Sequence, residues 1–197
     1  MAHLKVLAKD KYLKKILPAE GLVLTTRKNV FLSLCNSIMS QQLSTKVADI
    51  IQQRFVVLVG SKSPVPKQVW QLPDTDLRNI GLSNAKVAYI KNVAHFAINN
   101  GMALRQLNKM TDEEVIAYLT QIKGVGRWTV EMLLMFTLGR ENVFAVDDLG
   151  IQQAMINLYK LDATNKKQLK ATMLQHAQNW HPYRTYACLY LWKYKDA

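Results

Sequence analysis

Two stretches of the sequence carry residues that could do chemistry, and each precedes a helical pattern. One of them, VFAVDDLGIQQAM, spans Val143 to Met155 and sets Asp147 and Asp148 directly before a helix. A carboxylate at that position can stabilise a developing positive charge or activate water. It can also simply cap the helix by accepting a backbone N–H. We predict that one aspartate of the pair is the cap and that the other is left for chemistry.

The other stretch, IKGVGRWTVEMLLMF, spans Ile122 to Phe136 and places a basic, glycine-rich turn before an apolar helix. Gly124 and Gly126 allow positive φ and close backbone approach, so two helices can meet at a tight turn. The N–H groups and the dipole at the start of the second helix favour an anion, and Arg127 adds a full charge beside them. Because the chain carries a net charge of +12, we interpret the turn as a binding site for a DNA phosphate. The alternative is an ordinary helix connection without a ligand.

The composition favours a polyanionic partner. Lys and Arg number 26 against 14 acidic residues, which gives a net charge of +12 over 197 residues. This excess indicates nucleic acid first and an acidic membrane surface second, with plain solubility as the alternative. Cys35 and Cys188 cannot form a cysteine-only zinc site or a four-cysteine iron–sulfur cluster, and we predict no cofactor. The sequence has neither a signal-peptide pattern nor a membrane-span pattern, so we expect an intracellular, soluble protein.

Helical periodicity dominates, which predicts an all-α fold of roughly eight to ten short helices without a sheet. The run FVVLV, Phe55 to Val59, is the one strand candidate, and it equally fits the end of the preceding helix. Residues that are apolar, with the exception of His176, recur at helical spacing in five places: Val30, Leu34 and Ile38; Val47, Ile50, Ile51 and Phe55; Val87, Ile90, Val93 and Ala97; Val115, Ile116, Leu119 and Ile122; and Leu169, Met173, His176 and Trp180.

Local signals predict where some of these helices begin and end. Thr111 followed by Glu114 is typical of a capping box at a helix start. Gly101, after two asparagines, predicts the end of the helix that contains Val87. Pro182 suits the first turn of a final helix.

Together these stretches resemble the helix–hairpin–helix base-excision DNA glycosylases, and within them the 3-methyladenine (alkylbase) branch. The run from Ile122 to Met155 is similar to the hairpin, loop and aspartate signature of that family. Three further segments are similar to motifs of the branch: SIMSQQLSTKVA (Ser37 to Ala48), GLSNAKVAYI (Gly81 to Ile90) and WHPYRTYACLYLW (Trp180 to Trp192). The resemblance implies a single glycosylase unit over 1–197, built of two all-α lobes with a DNA-binding cleft between them. One lobe would span 26–135 and carry the hairpin, and the other would join 1–25 to 136–197.

The resemblance also implies the roles of individual residues. Asp148 matches the catalytic aspartate of the family, which would stabilise the cationic sugar and help to position or deprotonate water. Asp147 would then be a neighbour or a cap. Trp128 and Trp192 match aromatic positions of the base pocket, where a π face would attract a cationic alkylated purine. Either tryptophan could instead be a core residue.

Trp128 stands where lyase-competent relatives of the endonuclease III type carry a nucleophilic lysine. Tryptophan cannot form a Schiff base, so the resemblance implies a monofunctional glycosylase whose abasic product passes to a separate nuclease. Met132 stands where a bacterial relative has a pocket tyrosine, and Lys193 follows Trp192 where another tyrosine would be. The set of accepted bases is therefore expected to differ.

By the same resemblance, two segments would contact DNA. Gln42 or Leu43 would fill the space left by a flipped base, with Ser40 supporting the turn, unless the segment only connects two helices.

The backbone carbonyls of Thr120, Ile122 and Val125 would hold a monovalent cation. The phosphate-binding residues of the hairpin would be Gly124, Val125, Gly126, Arg127 and Thr129.

The predicted function is hydrolysis of the N-glycosidic bond of alkylated purines, of the 3-methyladenine and 7-methylguanine type, in duplex DNA by a monomer. One alternative is a glycosylase for uracil, a deaminated purine or a mispaired adenine. Such neutral bases would require an acid for the leaving group, and the sequence offers no obvious second carboxylate. Another alternative is a non-catalytic helix–hairpin–helix DNA-binding module, which would not need Asp148.

Overall fold

A computed structural model describes residues 1–197, apart from the side chain of Thr45. The all-α prediction is confirmed. Within the described chain, twelve α-helices and one 3₁₀ helix (Leu13–Ile16) follow one another without a strand. The α-helices are α1 (Ala2–Leu7), α2 (Val30–Ser40), α3 (Thr45–Val59), α4 (Pro66–Gln71), α5 (Asp74–Asn79), α6 (Asn84–Asn100), α7 (Leu104–Leu107), α8 (Asp112–Leu119), α9 (Arg127–Phe136), α10 (Leu149–Tyr159), α11 (Lys166–Gln178) and α12 (Arg184–Lys195).

The chain divides into two compact units, one of residues 27–133 and one of residues 1–26 with 134–197. In the unit of residues 27–133, α6 packs against α2, α4 and α5, and α2 also packs against α3. Val87, Ile90 and Val93 of α6 are buried, as their spacing predicts. Helix α6 is therefore the central support of this unit.

Helix α3 departs from its predicted apolar stripe. Ile51 and Phe55 are buried, but Val47 and Ile50 are 43% and 40% exposed. Ala48, Ile51 and Phe55, which are all buried, recur at spacings of three and four residues and define the packed face, whereas Val47 and Ile50 lie to one side of that face on the helix. The strand candidate Phe55 to Val59 is the last part of α3, which ends at Gly60 in a left-handed cap.

In the unit of residues 1–26 and 134–197, α10 packs against α12, and α12 packs against the 3₁₀ helix. Polar contacts of buried aromatic residues attach the N-terminal segment. The Trp180 indole N–H donates to Asp10 Oδ2 at 3.0 Å, and His3 Nε2 lies 2.9 Å from Tyr190 Oη.

Two of the predicted boundaries are confirmed and one is wrong. Thr111 and Glu114 form the capping box of α8, and α6 ends at Asn100 with Gly101 as its cap. Pro182 is not in the first turn of the last helix, because α12 begins at Arg184 and the cis peptide His181–Pro182 precedes it. Among the described residues, no helix is both long enough and apolar enough to cross a membrane.

Candidate functional site

The hairpin between α8 and α9 is closed by its own backbone. The Val125 N–H donates to the Ile122 C=O at 2.9 Å, and Gly124 has a φ of +102°. A Cβ at residue 124 would lie 2.6 Å from Tyr89 Cβ and closer still to the Tyr89 ring. Glycine is therefore required here for the left-handed backbone and for the contact with α6.

Gly126 has a different environment. Its φ is not positive, so the left-handed backbone that both glycines allow occurs at Gly124 and not at Gly126. A Cβ on Gly126 would meet no atom within 4 Å. The Gly126 C=O accepts the Val130 N–H at 3.2 Å, which places Gly126 at the start of α9. The space over Gly126 is open at a helix start, where backbone N–H groups and the helix dipole favour an anion.

Arg127 is bound to two carboxylates. Its Nη1 and Nη2 donate to Glu113 at 3.1 and 2.6 Å, and its Nε donates to Glu131 Oε1 at 3.1 Å. The hydrogen bond with Glu113 is the main reason that the pKa of Arg127 is raised, and it also lowers the pKa of Glu113. Arg127 thus joins α8 to α9, and a phosphate contact by its guanidinium stays a prediction. Thr129 is 2% exposed, and the DNA contact predicted for it stays a prediction.

Asp148 is the N-cap residue of α10. Its Oδ1 accepts the Ile151 N–H at 2.9 Å and the Trp192 indole N–H at 2.8 Å. The cap therefore falls on the candidate catalytic residue and not on its neighbour, which corrects the predicted division of roles. Asp147 instead forms an ion pair with Lys170 at the surface.

The contact between Trp192 and Asp148 depends on a small residue beside it. A Cβ on Gly150 would lie 3.1 Å from Asp148 Oδ1 and 3.2 Å from Trp192 Cδ1, which is tighter than ordinary van der Waals contact. The Trp192 ring also packs at a centroid distance of 6.0 Å from Phe136. The packing against Phe136 and the absence of a side chain at residue 150 thus fix how the Trp192 indole contacts the Asp148 carboxylate.

A pocket of about 550 Å³ lies within the unit of residues 27–133. Trp128, which is 39% exposed, lines it together with the three residues predicted to act at the flipped base, namely Ser40, Gln42 and Leu43. The structure therefore brings these four predicted site residues together. The remaining lining is mostly polar and comprises Arg27, Asn36, Ser37, Gln41, Ala48, Asp49 and Gln52.

Residues Ser40 to Leu43 form a β-turn between α2 and α3. The Leu43 N–H donates to the Ser40 C=O at 3.2 Å. Gln41 has φ −52° and ψ 128°, and Gln42 has φ +59°. These angles are those of a type II turn, whose third residue is normally glycine or asparagine. A left-handed glutamine at this position costs about 1–2 kcal/mol, so other contacts must hold the turn.

Those contacts come from α3 and α6. Ser40 Oγ donates to the Asn36 C=O at 2.8 Å and accepts from Gln52 Nε2 at 2.9 Å. Lys86 Nζ donates to the Met39 C=O at 2.9 Å and to the Gln41 C=O at 2.8 Å. Burial lowers the pKa of Lys86. The turn is thus tied to α3 through Ser40 and to α6 through Lys86.

Residues 35–179 match the HhH-GPD superfamily base excision DNA repair protein family. The chain belongs to this superfamily. The resemblance drawn from the hairpin and aspartate motifs is thereby confirmed.

Among related HhH-GPD proteins, DNA-3-methyladenine glycosylase 1 of Schizosaccharomyces pombe is 36% identical over 169 residues, or 85% of this chain and 73% of that protein. YfjP of Bacillus subtilis is 34% identical over 179 residues; the match covers 88% of this chain but only 61% of that relative's length. A solved structure of a Schizosaccharomyces pombe 3-methyladenine DNA glycosylase in complex with abasic DNA gives a TM-score of 0.86 at 31% identity. That comparison covers 98% of this chain and 96% of the other.

The HhH-GPD hairpin contains the three carbonyls predicted to hold a monovalent cation, at Thr120, Ile122 and Val125. The Ile122 C=O accepts the Val125 N–H, and a carbonyl oxygen has a second lone pair for an ion. Backbone carbonyls are suitable ligands for a monovalent cation. The site stays a prediction.

Sequence reasoning missed three residues that shape the segments described above. Tyr89 packs on the hairpin, Gly150 leaves room for the Trp192 contact, and Lys86 binds the turn of Ser40 to Leu43. Lys86 and Tyr89 lie within the motif GLSNAKVAYI, which signalled that the segment matters but not what it contacts. Gly150 follows Asp148 by two residues, and that proximity was the available signal.

Proposed function

We propose that this chain is a DNA glycosylase that hydrolyses the N-glycosidic bond of alkylated purines, of the 3-methyladenine and 7-methylguanine type, in duplex DNA. The observation that carries the proposal is the Asp148 carboxylate, held by two donors at the head of α10 in an HhH-GPD chain. The substrate class is supported by the Schizosaccharomyces pombe relatives, which are named for 3-methyladenine.

Asp148 acts on the sugar. Cleavage of the N-glycosidic bond leaves positive charge on the deoxyribose, and a carboxylate already fixed in place stabilises that charge without reorganising. The Ile151 N–H and the Trp192 indole N–H supply this fixed orientation. The same carboxylate orients or deprotonates the water that attacks the sugar.

The leaving base needs less assistance. An N-alkylated purine is cationic, so its bond to the sugar is already weakened and it leaves as a neutral molecule without an acid. The exposed face of Trp128, in the pocket shared with Ser40 and Gln42, can attract such a cation through its π system. An alkylated purine therefore needs no acid for its leaving group, whereas a neutral base would need one.

DNA binding uses the two segments described above. The start of α9 at Gly126 receives a phosphate through backbone N–H groups. The side chains of Gln42 and Leu43, both exposed, fill the space that the flipped base leaves. Flipping costs a few kcal/mol, which a damaged pair reduces.

The reaction ends at the abasic site. Trp128 carries no amine, so it cannot form the Schiff base through which a lyase would cut the strand. The protein works as a monomer on this account, and a separate nuclease processes its product.

Single-turnover base release from duplexes with 7-methylguanine or 3-methyladenine tests the proposal. We expect release of the base, with strand breaks appearing only after alkali. Asp148→Asn should slow release by about a hundredfold, the scale of losing one transition-state electrostatic contact, and should leave DNA binding intact. Asp147→Asn is the matched control, because it removes the adjacent carboxylate, and it should release bases at the wild-type rate.

Two results would contradict the proposal in different ways. Base release by Asp148→Asn at the wild-type rate would exclude the assigned mechanism. DNA binding without release of any alkylated base would exclude the assigned substrate, and neutral lesions and then a non-catalytic role would have to be tested.

A further inference from the structure

We infer that Lys86 is a positioning residue for base flipping, because its ammonium group holds the turn of Ser40 to Leu43 in the backbone form that presents Gln42 and Leu43 to DNA. The inference rests on the proposed function, since it concerns how a base is brought out of the duplex. It assigns no contact with the reacting atoms to Lys86.

The turn depends on the orientation of one peptide group. Types I and II differ in the peptide between the two central residues, and the type II orientation requires a positive φ at the following residue. That peptide joins Gln41 to Gln42, and Gln42 has φ +59°. A positive φ is unfavourable for glutamine by itself, so a contact from outside the turn must stabilise this conformation.

Lys86 supplies that contact. Its Nζ donates at 2.8 Å to the carbonyl of Gln41, which belongs to the peptide whose orientation defines the turn type. Its second bond, at 2.9 Å to the Met39 C=O, occupies a carbonyl at the C-terminal end of α2, where a cation is favoured by the helix dipole. Because α6 is the central support of its unit, the ammonium group attaches the turn to a rigid element.

The other anchor of the turn does not fix this peptide. Ser40 Oγ donates to the Asn36 C=O and accepts from Gln52 Nε2. Both contacts are made by Ser40, which precedes the Gln41–Gln42 peptide in the chain, so neither contact fixes the orientation of that peptide. Without Lys86 the peptide can rotate toward type I, and the side chains of Gln42 and Leu43 then change direction. The exposed residues of the turn would have to be ordered during flipping instead of beforehand.

Single-turnover release with Lys86→Met tests the inference on two duplexes. One carries 7-methylguanine opposite cytosine, and the other carries 7-methylguanine opposite an abasic-site analogue, where no pair has to be broken. We expect the variant to slow release from the paired duplex by about tenfold, the scale of a residue no longer held in the left-handed region. Release from the unpaired duplex should change much less, because flipping is easier there.

Lys91→Met is the matched control. Lys91 also lies on α6, and its Nζ also donates to two backbone carbonyls, those of Trp70 and Leu72 at the end of α4. The control therefore removes the same charge and the same kind of hydrogen bonds to two backbone carbonyls, but at the end of α4 instead of at the turn of Ser40 to Leu43. It should not discriminate between the two duplexes, and thermal unfolding of both variants will show whether they fold equally.

Rescue gives a second, independent readout. Asparagine adopts positive φ more readily than glutamine, so Gln42→Asn should make the conformation of the turn less dependent on the hydrogen bond from Lys86. In the Lys86→Met background this change should recover part of the lost rate on the paired duplex. A purely structural role of Lys86 predicts no such recovery.

The outcomes separate the inference from the proposed function. Loss confined to the paired duplex, with recovery by Gln42→Asn, supports the inference. Equal loss on both duplexes, no loss, or the same selectivity in Lys91→Met overturns it while the glycosylase assignment stands. Failure of the wild-type protein to release base from either duplex removes the proposed function, and the inference with it.

Discussion

The Asp148 carboxylate is placed to perform two tasks. It caps α10 through the Ile151 N–H, and it is the candidate for stabilising the cationic sugar. The two tasks are compatible, because an ionised carboxylate offers about four acceptor positions. A cap is fixed to the end of a helix, so the capping bond itself supplies part of the rigidity that an electrostatic catalyst needs.

Trp192→Phe should test what the indole does at Asp148. The substitution keeps an aromatic ring but removes the N–H that donates to Oδ1 at 2.8 Å. We expect kcat to fall by about tenfold, the scale of one hydrogen bond to a charged group, with similar losses for 3-methyladenine and 7-methylguanine. Steady-state kinetics on both bases would measure it, and Trp128→Phe serves as the comparison. A base-selective rise in KM at unchanged kcat would instead make Trp192 a wall of the base pocket.

The sequence located these residues better than it described their contacts. Asp148 could be found because a carboxylate beside a helix start is a local pattern. The bond from Trp192 spans 44 residues, and the clamp from Lys86 to Gln41 spans 45, so neither can be derived from spacing along the chain. The ion pair of Arg127 with Glu113 was missed for a related reason, since Glu113 lies 14 residues away on another helix.

At the scale of elements, signals that lie within one turn of helix were the dependable ones. The capping box of Thr111 and Glu114 and the stop at Gly101 need only neighbouring residues, and both are confirmed. The stripe of α3 failed at Val47 and Ile50 because burial depends on how much of the helix its neighbours cover. That extent is a tertiary property, and apolar spacing alone does not contain it.

The two hairpin glycines should respond differently to alanine. Gly124→Ala brings a methyl group into overlap with the Tyr89 side chain, and it also forces alanine to adopt a positive φ. We therefore expect a loss of at least about 2 kcal/mol of stability. Gly126→Ala meets no protein atom within 4 Å, so stability should change by less than about 1 kcal/mol. DNA affinity of Gly126→Ala should fall by about tenfold, because the methyl group stands where a phosphate approaches backbone N–H groups.

Urea unfolding and fluorescence anisotropy with a labelled duplex would measure the two effects separately. Intact DNA affinity in Gly126→Ala would mean that the phosphate is bound elsewhere. A Gly124→Ala protein as stable as the wild type would mean that the hairpin can relax away from α6.

At the scale of the whole molecule, one unit is assembled from both ends of the chain. Asp10 and Trp180 are 170 residues apart, and His3 and Tyr190 are 187 apart, yet each pair is in hydrogen-bond contact. The lobe boundaries expected from the sequence came from family resemblance, because no composition shift or linker marks such a discontinuous unit. The contact between Trp180 and the Asp10 carboxylate makes the unit sensitive to acid, because protonation removes the charge on Asp10.

Asp10→Asn should reduce stability at neutral pH and lose its effect in acid. Asp10 accepts the Tyr12 and Leu13 N–H groups at 2.9 Å and the Trp180 indole N–H at 3.0 Å. Burial alone would raise the pKa of its carboxyl, but hydrogen bonds, led by that from Leu13, hold the pKa below its ordinary value. A lowered folded pKa gives stability that is complete above the unfolded pKa of about 3.9 and disappears as pH falls through the folded value.

The free energy of unfolding of Asp10→Asn should therefore lie about 1–3 kcal/mol below the wild type at pH 7, since donors lose a charged acceptor. The gap should close below about pH 4, where the wild-type carboxyl takes up a proton and comes to resemble the amide. Urea titrations from pH 7 to strong acid would follow it, with Glu20→Gln, an exposed carboxylate of the same unit, as the control. A gap that stayed constant into strong acid would show that the amide disturbs packing, and that the charge on Asp10 does not hold the N-terminal segment in place.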